Sequence, residues 1–86
     1  MSMEYSQSFD PGSVARKHML RMARDLQQEG QVYSAIYLLK RLLNDYPETP
    51  ESRMAVREYA ALGEFLESRG MVHTALSMYE WLEQLA

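Results

Sequence analysis

His18 and His73 are the only imidazoles in this 86-residue chain, and catalysis by either would need a nucleophile, a carboxylate or a second ligand within reach. Neither stands at a metal-binding spacing such as two histidines four apart on a helix. The absence of cysteine removes thiolate nucleophiles, disulfides and cysteine-based zinc sites together. Glu64 with Glu67 and Glu80 with Glu83 share helix faces, but such pairs are ordinary on solvated surfaces. No glycine-rich phosphate loop is present. The sequence therefore offers no catalytic, cofactor-binding or metal-binding residue. Lys17, Arg21 and Arg24 make a basic stripe, yet nine Lys and Arg against twelve Asp and Glu leave a net charge of -3, which argues against a nucleic-acid partner. No apolar run approaches the roughly 20 residues of a membrane helix. Met1 to Asp10 lacks the basic start and apolar run of a signal peptide, so the expectation is a soluble, cytoplasmic protein without a membrane partner.

The elements that would position any site are helical. Apolar residues make up 47% of the chain and charged residues 24%, enough for one packed core at this length. Three punctuation points, Gly30, Tyr46 to Pro50 and Gly70, divide it into four helices. Asp10 caps the first, Pro11 suits its first turn and Phe9 can staple onto Val14; residues 1–8 read as a loose tail. Ala15, Met19, Met22 and Leu26 define its apolar side. Val32, Ala35, Ile36, Leu39, Leu42 and Leu43 give the second helix a wider stripe. Thr49 caps the third, whose apolar side carries Val56, Tyr59, Leu62 and Leu66. Val72, Ala75, Leu76, Tyr79, Leu82 and Leu85 define the fourth. Alternation with period two is missing, so no strand is predicted.

A shift of forty residues aligns Ala15 with Ala55, Met22 with Leu62, Ala23 with Gly63, Leu26 with Leu66 and Gly30 with Gly70. The match continues through Val32 with Val72, Ala35 with Ala75, Ile36 with Leu76, Leu39 with Tyr79 and Leu42 with Leu82. A shared Leu-x3-Gly-x4-Ala word in one helix-turn-helix frame marks an internal repeat. The prediction is an all-α domain over residues 9–86: two antiparallel helical hairpins, about 11–47 and 50–86, stacked as a short solenoid.

With Ala23, Leu26, Gly30, Ala35, Leu39 and Pro47 in the first copy, and Tyr59, Leu62-Gly63, Leu66, Gly70, Ala75 and Tyr79 in the second, residues 16–86 resemble the tetratricopeptide repeat family. The family's unit is about 34 residues, and the six extra residues here fall around Thr49 to Met54. The resemblance implies a binding scaffold rather than an enzyme. It also implies a groove lined by the first helix of each pair, in which Lys17, Leu20, Arg21, Arg24 and Arg57 would grip an acidic peptide. The family's carboxylate clamp uses asparagines that are absent from the matching positions, so that activity does not carry over.

Two hairpins make one internal interface, whereas solenoids want three or more units or polar caps. Part of the set Leu76, Met78, Tyr79, Trp81, Leu82 and Leu85 is then expected to stand uncovered as an association surface. Alternatively the fourth helix packs inward in a four-helix bundle with Trp81 over the core. Residues 11–41 carry +4 and residues 42–86 carry -5, with sign inverted between Arg24 and Glu64, Lys40 and Glu80, and Glu29 and Arg69. That pattern suits contact between unlike ends of neighbouring chains, or solvated surface alone. Met22, Tyr59 and Tyr79 are expected in the core; Tyr33, Tyr37, Met71, Met78 and Trp81 flank it as a contact patch. The partner expected is protein: the same chain in a homo-oligomer, or a larger complex in which this chain is an adaptor or a structural subunit.

Overall fold

The computed structural model describes residues 10–85 and forms four helices: α1 Pro11–Gln28, α2 Val32–Asp45, α3 Pro50–Ser68 and α4 Val72–Leu85. No strand occurs among the described residues. The expected tail and the Phe9 staple lie outside them.

Local chemistry sets each boundary. Asp10 accepts from the Gly12 amide at 3.0 Å, with Pro11 in the first turn where no amide partner is needed. Thr49 and Ser52 exchange bonds, the Thr49 hydroxyl accepting from the Ser52 amide at 3.1 Å and the Ser52 hydroxyl from the Thr49 amide at 3.0 Å. α1 and α3 end alike: the Gln31 amide donates to Leu26 at 2.8 Å and the Gly30 amide to Gln27 at 3.0 Å. Forty residues on, the Met71 amide donates to Leu66 at 2.9 Å and the Gly70 amide to Glu67 at 3.0 Å. These bonds satisfy the last carbonyls of each helix and require a left-handed residue, which Gly30 and Gly70 supply at φ 81° and 85°. The repeat seen in the sequence is thus repeated in the backbone hydrogen bonds.

α1 packs along α2 and α3 along α4; α3 also rests on α2 and, at a narrower seam, on α1. The core runs through Leu20, Ala23, Ala35, Ile36, Leu39, Leu42, Leu43, Ala55, Tyr59, Leu62, Leu66, Ala75 and Met78. Two arcs differ from expectation. In α1 the buried residues are Arg16, Leu20 and Ala23, while Ala15 and Met22 are exposed. A hydropathy pattern turns arginine outward, but here the guanidinium meets two carboxylates and can lie inside. In α4, Ala75 and Met78 enter the core and Val72, Leu76 and Leu85 stay exposed, because α3 is the one described helix packed along its length and a single such neighbour covers one side. Val56 on α3 is exposed as well.

Candidate functional site

The most elaborate polar cluster joins the hairpins. The Arg16 guanidinium donates to Glu51 at 2.8 Å and to Asp10 at 2.9 Å, and the Ser13 hydroxyl donates to the second Glu51 oxygen at 3.0 Å. Arg16 also lies over the Tyr46 ring at 5.9 Å. The bound guanidinium, helped by Ser13 and opposed by burial, holds the Glu51 carboxyl below its ordinary value. Arg16 draws Asp10 down in the same way. Glu51 lies in the first turn of α3, so the start of that helix carries this tie. The sequence signal for it was the repeat itself, which puts Val56 at the place of Arg16.

The predicted groove residues are not assembled into one grip. Lys17, Arg21 and Arg57 are exposed and form no ion pair among the described residues. Leu20, expected in the groove, is 3% exposed and belongs to the core, since its place on α1 lies over α2 and α3. Arg24 is already paired with Glu58 across the α1–α3 seam. That carboxylate, whose other oxygen is buried without a partner among the described residues, puts negative charge within the basic stripe.

On α4 the expected association surface divides. Met78 is 4% exposed and contributes to the core, which removes it from both the association surface and the contact patch. Tyr79, Trp81 and Leu82 are half-buried against the core. The Trp81 ring lies 5.4 Å from Tyr59, and Lys40 reaches from α2 to 5.1 Å above it. Leu76 and Leu85 are exposed, as are Tyr33, Tyr37 and Met71. The repeat makes the exposure informative: Ile36 is 8% exposed under α3 while its counterpart Leu76 is 51% exposed, and half-buried Val32 corresponds to Val72 at 55%. Val56 on α3 and Val72 and Leu76 on α4 are thus exposed apolar residues of the second hairpin, with Glu64, Glu80 and Glu83 exposed on the same two helices.

A separate groove between α2 and α4 is lined by Tyr33, Ile36, Lys40, Tyr59, His73 and Ser77. The buried Tyr59 hydroxyl has no hydrogen-bond partner among the described residues, and burial pushes the phenol above its ordinary value. Because burial disfavours the phenolate, this group leaves stability unaffected below the unfolded value near pH 10 and lowers it as pH rises from there through the raised folded value. Tyr59→Phe removes the stranded hydroxyl and should leave stability unchanged or raise it by up to about 1 kcal/mol at neutral pH. The variant should also lose less stability above pH 10. Urea unfolding at neutral and alkaline pH checks both, and a loss of more than about 1 kcal/mol at neutral pH would show that the hydroxyl has a partner.

His18 and His73 are exposed on different hairpins, and no three metal-ligating side chains cluster among the described residues. No helix there is long and apolar enough to cross a membrane. No protein-family model, curated protein or solved structure matches the chain.

Proposed function

We propose that the chain is a tetratricopeptide-like, non-catalytic protein-interaction module that receives a helix of a partner protein on the open flank of its second hairpin. The carrying observation is the contrast between Ile36 and Leu76, two residues at one repeat position. The first is sealed by the following hairpin and the second stands in solvent. Apolar side chains at the sealed position contribute roughly 1.5 to 3 kcal/mol each when buried, so Val56, Val72 and Leu76 offer a binding helix a gain comparable to the cost of association. The helix-in-groove mode suits such a strip, with anchors spaced at helical intervals. Capture of an acidic peptide by Lys17, Arg21, Arg24 and Arg57 has less support, because Glu58 neutralises Arg24 and Leu20 is buried.

A photo-crosslinking residue at position 76 tests the reading, with the same residue at exposed Tyr37 as the control. Irradiation in native lysate should give discrete protein adducts at 76 and none at 37. Absence of adducts at 76, or the same adducts at both positions, would count against the open flank as the binding surface.

A further inference from the structure

The repeat supplies not only the open flank but also the register of what fits it. α3 seals the first hairpin, and α1 is the same element one repeat earlier, so α1 of a second molecule is shaped for the position beyond α3. Each contact across the internal seam, moved by one repeat, then names a pair across the new one. The buried ion pair Arg16–Glu51 becomes Val56 against Pro11. Ile36, which shares a groove with Tyr59, becomes Leu76 against Met19. Val32, which lines a groove with Leu62 and Gln27, becomes Val72 against Met22. Arg24–Glu58 becomes Glu64 against His18, and Gln27 beside Ala61 becomes Glu67 against Arg21.

The substituted pairs are complementary. Where the internal seam buries an ion pair, the external one brings two apolar residues; where the internal seam is apolar, the external one is apolar again. Two acids of α3 meet a hydrogen-bond donor and an arginine of α1. Asp25 is the one acid this register carries toward Glu67, and Arg21 stands four residues before it on the same helix face. On α1, Pro11, His18, Arg21 and Met22 are exposed and Met19 is half-buried, so no contact within the molecule has to break. A two-fold pairing of the open flanks would instead set Glu64, Glu67, Glu80 and Glu83 against their own copies, a repulsive arrangement.

We propose that the open flank of α3 and α4 binds α1 of a second copy head to tail, so that copies continue the stack of hairpins. This rests on the open flank being a binding surface and adds the identity of the occupant. Sedimentation velocity of the full chain, from micromolar to millimolar concentration at low salt, should show mass rising past that of a dimer, because the contact uses unlike surfaces. Glu64→Arg and His18→Glu should each weaken association about tenfold. Mixing the two variants, or combining both changes in one chain, should restore it. Both positions are exposed, so circular dichroism should be unchanged throughout. A monomer at millimolar concentration, a mass that halts at the dimer, or single variants indistinguishable from the parent would each overturn the proposal. Crosslinks from position 76 distinguish the two levels. Adducts to peptides of α1 support self-stacking, adducts only to a different protein overturn it while the open flank stands, and no adducts overturn both.

Discussion

Glu51→Ala lowers the melting midpoint by roughly 10 °C or more, the largest loss expected from a single polar substitution in this molecule. The carboxylate holds Arg16 in the seam between the hairpins, at 2.8 Å, and Ser13 as well. Removing it leaves a buried guanidinium with Asp10 as its one remaining ion partner among the described residues, and a charge stranded in this way costs far more than the intact pair contributes. Arg16→Met with Glu51→Leu removes both charges and should recover most of the loss, since the second hairpin already uses Val56 at the place of Arg16. Acidity separates this account from simple packing. Glu51 and Asp10 both titrate below their unfolded values, so their stabilisation is complete above about pH 4.5 and is lost as pH falls through the depressed values. Urea midpoints at pH 7 and pH 3 should therefore differ more for the parent than for the double variant. Equal acid sensitivity in the two proteins would refute the role given to this pair.

The ends of the helices were legible in the sequence because caps and turns are made by neighbours in the chain. Asp10-Pro11, Thr49-Pro50, Gly30 and Gly70 stand where the helices start and stop, and the forty-residue offset reappears in the hydrogen bonds that close α1 and α3. The inward arcs were less legible. Hydropathy placed Met22 inside and did not single out Arg16, whereas the carboxylate that brings Arg16 in lies 35 residues away, on another helix. On α4 the apolar residues cover a wider arc than α3 can bury, and periodicity does not say which part is taken. Met78 went in and Leu76 remained out. The basic stripe was visible as composition, but Glu58, which pairs with Arg24, belongs to the other hairpin and was not weighed with it. Local chemistry was readable, while partners across the seam needed the repeat to be used as a map.

Gly63→Ala should destabilise the fold by about 1–3 kcal/mol, although alanine is the better helix former by about 1 kcal/mol. A methyl group at Gly63 would lie 2.7 Å from Tyr79 Cε1 and 3.3 Å from Cζ, so the tyrosine ring must shift. The Tyr79 hydroxyl donates to Glu67 at 3.1 Å, and displacement of the ring breaks that bond. The first hairpin solves the same problem with the sizes exchanged, Ala23 on the first helix and Leu39 on the second, both fully buried. Gly63→Ala with Tyr79→Leu copies that solution, and the double variant should be more stable than the effects of its two single changes predict. Four urea unfolding curves measure the coupling. A value above roughly 0.5 kcal/mol supports a size-matched contact, and strict additivity would mean that the ring has room to move. The same four proteins bear on the open flank. Tyr79 lies beside Val72 and Leu76 at helical spacing on α4, so an outward shift of the ring in Gly63→Ala should change the surface offered to α1 of another copy. Association should then weaken in the single variant and return in the pair, following packing inside the hairpin rather than any change of charge.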